Sequence, residues 1–396
     1  MNSEKIIIIG GGVSGITTAL TLQLLGCQTE IYTEKKAENI ADKNTHPEFA
    51  SLFPSASVIP HSVYSNQLEE LFQSSQSFFY ELRKRSFPGL TLQKHFEVFE
   101  FEKDRPEYGD WMMNFNSLEE FHPREIPRRS LSQDVYGWAF DCIFADWPLY
   151  FPGLITLYKE SGGEINQRKI QKREIPSLPA DIIINCSGTG SPDLFDDPVE
   201  KQMILKGHLL HKPEASLITN SNDEIISYNY TPKASIYSDS SGNACDVYCY
   251  PRKDGWILGG SRESGFLDNN DSETEDSPIE NTRAYKIDSL DIPSAVIDLN
   301  QEILNTTFGH SLEQSDKLSA LMGYRYIRNK ENGLRLDHET LDGKTVYHNY
   351  GHGGAGVTLS WGCAIHLANK IISLKRSQMQ STLLDRLEEI MFDKKT

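Results

Sequence analysis

Residues 5–20 read "KIIIIGGGVSGITTAL", and this stretch decides the fold that the rest of the chain must fit. The four consecutive isoleucines Ile6–Ile9 predict a short strand buried on both faces, because β-branched runs are typical of parallel sheets. Gly10, Gly12 and Gly15 follow with the spacing G-x-G-x-x-G. The stretch therefore predicts a buried strand and a tight glycine turn.

A helix and a second strand then make the glycine turn a candidate phosphate site. Apolar residues recur at helical spacing from Ser14 to Leu25, and Thr29 to Thr33 predicts a strand that ends at Glu34. In such a unit the glycines let a pyrophosphate approach the helix N-terminus, and an acid about 20 residues further on binds the ribose. A plain strand-turn-helix is the alternative. We predict a Rossmann-like dinucleotide-binding domain that uses Gly10, Gly12, Val13, Ser14, Gly15 and Glu34.

A second glycine-rich element lies near the end of the chain, where residues 346–370 read "VYHNYGHGGAGVTLSWGCAIHLANK". Its helix is predicted from Thr358 to Arg376, and residues 377–396 predict a further amphipathic helix. No strand and no ribose-binding acid follow, so a second dinucleotide site is not expected. A helix N-terminus and free backbone N–H groups can instead face a negative charge, such as that on a reduced flavin. A purely structural turn is the alternative.

Composition limits the class of protein. The net charge of -17 argues against a nucleic-acid or anionic-membrane partner. No apolar run approaches the roughly 20 residues of a membrane helix, and a strand beginning at Lys5 leaves no room for a signal peptide. The six cysteines are scattered without metal-like spacing. We expect a soluble cytoplasmic protein with reduced thiols and no metal; its oligomeric state, a homo-oligomer included, stays open.

The chain resembles a known family over most of its length. The segment 348–358, "HNYGHGGAGVT", with "WGCA" at 361–364, resembles the signature of the D-amino-acid oxidase family, which includes D-aspartate oxidases. Three further stretches are similar to that family: "GYRY" at 323–326, "ADIIINCSGTGS" at 180–191 and "VYCYPRKDGWILGGSRESG" at 247–265. The motif at 348–358 is long and specific.

The resemblance implies non-covalent FAD and a Rossmann-like α/β domain interleaved with a mostly antiparallel α+β substrate domain. The FAD-binding domain is expected at residues 1–60, 140–200 and 320–376, the substrate domain at 61–139 and 201–319, and a C-terminal helix at 377–396. The late glycine loop is expected to cradle the isoalloxazine. Further FAD contacts are implied for Ala50, Ser51, Ser187, Gly188, Gly323, Gly353, Gly354, Ala355, Gly356, Val357 and Thr358.

The implied reaction is oxidative deamination of a D-amino acid. The Cα hydrogen leaves as hydride to flavin N5, and molecular oxygen then gives a 2-oxo acid, ammonia and hydrogen peroxide. An arginine fork matches the substrate carboxylate, and Arg325 stands at the clamp position of the family. Tyr248 matches the tyrosine that also contacts this carboxylate. Positioning supplies much of the catalysis, so His348 and His352 are expected to be structural.

Two departures from the family pattern leave the substrate open. Position 244 is alanine where the family has a second active-site tyrosine, and the nearby stretch with Tyr228 and Tyr230 is longer than in those members, so a rebuilt lid is predicted. Ala355 replaces a tyrosine of some members and is expected to leave more room. Arg262, in "LGGSRESG", is similar to the arginine that meets the side-chain carboxylate in D-aspartate oxidases. It therefore favours acidic D-amino acids.

Three other functions stay open at this point. One is a flavin oxidase of the same fold acting on another amine or on a bulky biosynthetic intermediate, which an altered lid favours. The others are a nicotinamide-dependent dehydrogenase that uses only the first loop, and a binding protein without turnover. Flavin absorbance in the purified protein excludes the nicotinamide alternative.

Hydrophobic periodicity outlines the remaining elements. Long helices are predicted for Val63–Arg85 and Trp147–Lys159. The segment from Gly207 to Gly260 alternates like a β-meander. Residues 264–281 are rich in acidic and small polar residues, which predicts a solvated loop.

Overall fold

The computed structural model describes residues 5–197, 202–267, 273–275, 283–312, 317–328, 330–372 and 376–392. Its strands are β1 (Lys5–Ile9), β2 (Gln28–Thr33), β3 (Leu90–Phe99), β4 (Met113–Ser117), β5 (Tyr136–Ala145), β6 (Glu164–Gln167), β7 (Ile182–Asn185), β8 (Gln202–Pro213), β9 (Ile225–Thr231), β10 (Val247–Arg252), β11 (Gly255–Gly259), β12 (Glu263–Leu267), β13 (Glu273–Glu275), β14 (Ala284–Ile287), β15 (Leu290–Pro293), β16 (Ser319–Ile327), β17 (His338–Leu341) and β18 (Lys344–His348). Its helices are α1 (Val13–Leu24), α2 (Leu68–Lys84), α3 (Trp147–Glu160), α4 (Ser191–Phe195), α5 (Ser294–Phe308), α6 (Ser360–Ile372) and α7 (Arg376–Phe392). Within these ranges no helix is long and apolar enough to cross a membrane.

The first isoleucine strand lies inside a six-stranded sheet with the order β17-β18-β7-β1-β2-β6. β1 pairs in parallel with β2 on one side and β7 on the other. Ile6 and Ile8 pack into the core that contains α1 and α6, while Ile7 and Ile9 pack into a separate core on the opposite face. Both faces of β1 are therefore covered, which confirms the predicted strand, turn and helix.

A second sheet of ten strands has the order β13-β12-β8-β11-β10-β9-β3-β5-β4, with β16 paired to β8. The predicted meander is only partly right: β9, β10 and β11 are neighbours in sequence order, but β8 joins beyond β11. The reason is the length of β8, which spans 12 residues. Along one edge it pairs with β11 and then with β12, and along the other edge it pairs with β16.

Two stretches that the sequence assigned to the FAD-binding domain pair in this second sheet. Residues 140–145 complete β5, which pairs with β3 along its whole length. Residues 320–327 belong to β16, which pairs with β8 at nine positions. These two stretches therefore lie in the second sheet, while the division into domains stays a prediction.

The helix predicted for Val63–Arg85 begins later, at Leu68. The carbonyl of Tyr64 accepts a hydrogen bond from the N–H of Leu334 at 2.7 Å and is therefore used outside a helix. The last predicted helix is confirmed as α7, where Met379, Leu383 and Leu387 are fully buried.

The acidic stretch 264–281, predicted as a loop, contains an antiparallel strand pair. β12 and β13 pair with Gly265 opposite Glu275 and Leu267 opposite Glu273. The loop prediction is wrong for these two strands, because β12 continues the ladder that β8 offers. The remaining residues of this stretch lie outside the described part of the chain.

A buried ion pair joins two distant parts of the chain beside the late glycine loop. Arg328 donates from Nε and Nη2 to the two carboxylate oxygens of Asp197 at 3.0 and 2.9 Å. Its Nη1 donates to the carbonyl of Gly333 at 2.8 Å, and the Tyr350 hydroxyl donates to Asp197 at 2.5 Å. Both charged side chains are almost inaccessible to water, so each depends on the other for compensation.

We therefore expect Asp197→Ala to destabilise the protein by about 3–5 kcal/mol, because it leaves the Arg328 guanidinium buried without a counter-charge. The thermal unfolding midpoint measures this loss. Asp337→Ala breaks an exposed pair with Arg335 and serves as the control, with a change of about 1 kcal/mol or less. Equal destabilisation by both variants would contradict the role of Asp197 as the buried counter-charge of Arg328.

Candidate active site

An open cleft lies against the second sheet, beside the start of α1 and the late glycine loop. One wall is the segment 50–62, another is the glycine loop 353–358, and the third consists of residues from β8, β10 and β16. The predicted site residues on these walls are Val13, Ala50, Ser51, Tyr248, Arg262, Gly323, Arg325, Gly353, Gly354, Gly356, Val357 and Thr358. The cleft thus brings together residues from five separated parts of the sequence.

The glycine turn between β1 and α1 is packed too closely for side chains. Gly10 has φ +119°, and a Cβ there would lie 2.2 Å from the carbonyl oxygen of Cys186. A Cβ on Gly15 would lie 1.9 Å from the carbonyl oxygen of Gly10. Any larger residue at either position pushes the helix away from the sheet.

Backbone donors at this turn are free to bind an anion. Among the described residues, the N–H groups of Gly12, Ser14 and Gly15 have no acceptor, and that of Val13 meets the Ser51 hydroxyl at 2.9 Å. The first turn of α1 carries no acidic residue. Unpaired N–H groups at a helix N-terminus fit a pyrophosphate.

The remaining predicted cofactor residues lie at the ends of neighbouring strands. Gly188, with φ +57° and open space around it, follows β7, and the Ser187 hydroxyl donates to Asn185 Oδ1 at 2.6 Å. Glu34 follows β2 and forms an ion pair with Lys169 at 3.2 Å. The carboxyl ends of parallel strands are where nucleotides bind, and contact of these residues with the cofactor stays a prediction.

The late glycine loop offers a second set of free donors. Among the described residues, the N–H groups of Gly356, Val357 and Thr358 donate to no protein acceptor, and all three residues line the cleft. Gly353 has φ +56°, and a Cβ there would lie 2.4 Å from the carbonyl oxygen of Ser62. Three adjacent donors before α6 fit the electron-rich edge of a flavin. Ala355 is buried and does not line the cleft, so its small size leaves no extra room there.

The strand that carries Arg325 is tied directly to this loop. The N–H of Gly353 donates to the carbonyl of Tyr326 at 3.1 Å, and Ile327 forms a β-bridge with His352. Backbone hydrogen bonds therefore fix the distance between β16 and the glycine loop.

Arg325 and Tyr248 present unpaired donors in the cleft. The Arg325 Nη1 and the Tyr248 hydroxyl are both buried and have no hydrogen-bond partner among the described residues. Burial raises the pKa of Tyr248 above its usual value, although the Arg325 charge opposes this shift, so the phenol keeps its proton and can donate. Buried unpaired donors are costly, and a carboxylate accepts from both.

Two glycines that sequence reasoning did not assign make room for these side chains. A Cβ on Gly207 would lie 2.6 Å from the Arg325 Nη1. A Cβ on Gly259 would lie 2.2 Å from the Tyr248 hydroxyl, on the strand paired with it. The glycine pair at 259 and 260 was visible in the sequence, whereas Gly207 becomes significant only once β8 lies beside β16.

Arg262 lies on the cleft wall but is not free. Its Nη2 is 2.5 Å from Asp246 Oδ1, and Asp246 also lines the cleft. No sequence pattern indicates this partner, because the two residues meet only through the β10–β11 hairpin.

A buried polar network, also not predicted, lies behind the cleft. The Tyr250 hydroxyl donates to Asn229 at 2.7 Å, and the Asn229 amide donates to Glu97 at 2.8 Å. Glu97 in turn contacts His95. Tyr250 and Asn229 line the cleft, so this network holds one wall in a single arrangement.

The two tyrosines expected in a rebuilt lid lie elsewhere. Tyr228 and Tyr230 are fully buried in the core beside the second sheet. Their hydroxyls donate to Asn300 and Glu100, each at 2.7 Å. Neither lines the cleft, so these two tyrosines do not belong to a lid, and a rebuilt lid stays a prediction. Strand β9 has both side-chain faces buried at these positions, which period-two alternation did not reveal.

Both histidines of the late motif have structural partners. His348 contacts Glu339 at 2.9 Å and Asn185 at 3.2 Å, and so joins neighbouring strands. Burial lowers the pKa of His352 to about 4, and its Nε2 contacts Asn349. Neither ring lines the cleft.

Fold and site together define an FAD-dependent oxidoreductase, because a dinucleotide with a redox-active ring matches both sets of backbone donors. A family model described as FAD-dependent oxidoreductase (DAO) matches residues 5–370. The chain belongs to this DAO family, and FAD is the cofactor of the family.

Individual relatives agree with this assignment. The chain is 26% identical over 386 residues to the D-aspartate oxidase of Homo sapiens, covering 94% of this chain and 95% of that protein. It is 28% identical over 280 residues to the D-amino-acid oxidase of Dictyostelium discoideum, covering 70% of this chain and 66% of that protein. The solved glycine oxidase from Bacillus cereus shares the fold with a TM-score of 0.60, at 16% identity, over 96% of this chain and 98% of that one.

Proposed function

We propose that the protein catalyses the FAD-dependent oxidative deamination of D-amino acids to 2-oxo acids, with release of ammonia and hydrogen peroxide. The observation that carries this proposal is the pair of buried donors at Arg325 and Tyr248, which have no acceptor among the residues that the structure describes. Relatives named D-amino-acid oxidase and D-aspartate oxidase support the same reaction class.

The protein contributes chiefly by positioning. The Arg325 fork and the Tyr248 hydroxyl hold the α-carboxylate, and the fixed link between β16 and the glycine loop then sets where Cα lies. The free N–H groups of residues 356–358 would hold the electron-rich edge of the flavin and stabilise negative charge there. When bound, FAD accepts the two electrons from the Cα–H bond and passes them to oxygen.

A panel of D- and L-amino acids tests the proposal. The purified holoprotein is mixed with each compound without oxygen, and loss of the oxidised flavin absorbance is followed. We expect D-amino acids to reduce the flavin and their L-enantiomers to leave it oxidised. Reduction by L-amino acids alone would overturn the proposed chirality.

A second candidate is oxidation of another amine or of a bulky biosynthetic intermediate. Ala244 favours it, because the second tyrosine hydroxyl that the family resemblance implies is missing there. Glycine, N-methylglycine, proline and iminodiacetate therefore belong in the same panel. Faster reduction by one of these than by every D-amino acid would select this second function.

The role of Tyr248 leads to a separate expectation. Tyr248→Phe removes one hydrogen bond to a charged carboxylate, worth about 1.5–3 kcal/mol. We expect kcat/KM to fall by roughly 10- to 150-fold, mostly through KM. Flavin content should stay normal, because the Tyr248 hydroxyl forms no hydrogen bond with any described residue. Its removal therefore leaves the predicted FAD site unchanged. An unchanged KM would remove Tyr248 from the carboxylate site.

A further inference from the structure

The Arg262–Asp246 pair is built into the open end of the β10–β11 hairpin. Asp246 precedes β10 and Arg262 follows β11, so the two residues meet across the hairpin. Gly260, with φ +135°, makes this possible, because a Cβ there would lie 2.2 Å from the carbonyl oxygen of Asp246. The Asp246 side chain is 13% exposed and that of Arg262 is 41% exposed. The hairpin thus holds the pair beside Tyr248, two residues from Asp246.

The charges on the cleft wall are almost balanced before a substrate binds. Its charged residues are Arg325, Arg262 and Asp246. In the described part of the chain, Arg262 and Asp246 are each other's ion-pair partner. Burial lowers the pKa of His61, which also lines the cleft, so its ring is neutral. Arg325 is then the charged residue of the cleft wall without an ion-pair partner among the described residues, and the α-carboxylate of the substrate pairs with it.

A second carboxylate therefore finds no free cation at this end of the cleft. At Arg262 it meets a guanidinium that Asp246 already neutralises, and the Asp246 carboxylate repels it. A carboxamide differs, because its oxygen accepts from the guanidinium while its NH₂ group donates to the carboxylate. An intact ion pair offers both partners on adjacent atoms.

We propose that Asp246 neutralises Arg262 and makes this end of the cleft select neutral, hydrogen-bonding side chains, with a carboxamide as the best match, over acidic ones. This inference deepens the proposed function and rests on it, since it takes the α-carboxylate to bind at Arg325. It replaces the expectation, based on Arg262 alone, that acidic D-amino acids are preferred.

D-glutamine and D-glutamate test the proposal directly, because they have the same shape and differ in charge. We expect the native enzyme to favour D-glutamine by about tenfold or more in kcat/KM. Asp246→Asn removes the competing charge and keeps the shape, so this ratio should shift toward D-glutamate by about tenfold or more. A native preference for D-glutamate that Asp246→Asn leaves unchanged would overturn the proposal.

Two further variants separate the pair from general effects on the hairpin. Arg262→Ala leaves Asp246 without its partner, and we expect D-glutamate to become a still poorer substrate relative to D-glutamine. If Arg262 instead binds acidic side chains, the same variant erases a preference for D-glutamate. Asp254→Asn is the control, because Asp254 pairs with Arg252 in the turn of the same hairpin and does not line the cleft. The native ratio should survive in this control.

A binding measurement keeps this inference separate from the proposed reaction. Glutarate and its monoamide, 5-amino-5-oxopentanoate, have the carboxylate and side-chain groups of D-glutamate and D-glutamine. They lack the α-amino group, so they cannot be deaminated. Their dissociation constants follow from the change in flavin absorbance on titration. Tighter binding of the monoamide, reversed by Asp246→Asn, supports the inference even if no D-amino acid is oxidised. Tighter binding of glutarate to both forms contradicts it.

Discussion

Replacing Arg325 by methionine is expected to lower kcat/KM by about two orders of magnitude or more while FAD stays bound. The variant removes the proposed bidentate partner of the substrate carboxylate, whose Nη1 is buried, a loss of roughly 2–5 kcal/mol. The unpaired Tyr248 hydroxyl then holds the carboxylate alone. Steady-state kinetics with the best D-amino acid of the panel measure the effect, and absorbance of the purified protein checks the flavin.

Arg325→Lys is the matched control for this expectation. It keeps the charge but loses the planar fork, so its activity should lie between the native enzyme and the methionine variant. If Arg325→Met retains full activity, the substrate carboxylate binds elsewhere. Loss of FAD together with activity would instead make Arg325 part of the cofactor site.

Gly12→Val is expected to yield a folded protein that is colourless. Gly12 has φ -76°, which any residue tolerates, so the backbone of the turn is not the obstacle. Its Cβ would lie 3.0 Å from the Ser51 hydroxyl, and the two methyl groups beyond it fill the approach to the free N–H groups of the turn. Absorbance of the purified variant and its FAD content after denaturation measure the loss.

A second glycine variant separates cofactor loss from general damage. A Cβ on Gly153, in α3, meets only Pro88 at an ordinary distance of 3.4 Å. Gly153→Ala should therefore keep its flavin. Full flavin in Gly12→Val would place the pyrophosphate away from the first glycine turn.

The parts of the fold that sequence predicted well are those set by local chemistry. Ile6–Ile9 form a β-branched run typical of a strand buried on both faces, and Gly10 and Gly15 admit no side chain, so strand, turn and helix follow from neighbouring residues. The family resemblance extended this to Arg325 and Tyr248, because it supplied their long-range context. Their placement in one cleft agrees with that context.

The parts that sequence missed depend on which strands become neighbours. Arg262 reads as a free cation in the sequence, and only the closed hairpin brings Asp246 to within 2.5 Å of it. Tyr228 and Tyr230 lie near position 244 in sequence, yet β9 carries them into the core. Distances along the chain cannot reveal such pairings, because a sheet can order its strands in several ways.

The backbone link between β16 and the glycine loop has a consequence for how such an enzyme can evolve. The distance between β16, which carries Arg325, and the glycine loop is set by the hydrogen bond from the N–H of Gly353 to the carbonyl of Tyr326. Side-chain mutations leave both backbone groups in place. The hairpin that carries Asp246 and Arg262 has its own ladder, with β11 paired to β8. Mutations at Asp246 and Arg262, at the open end of the hairpin, can therefore change which molecules are accepted while Arg325 and Tyr248 stay in place. Substrate preference can thus change through a few residues at the end of one hairpin, while the reaction stays the same.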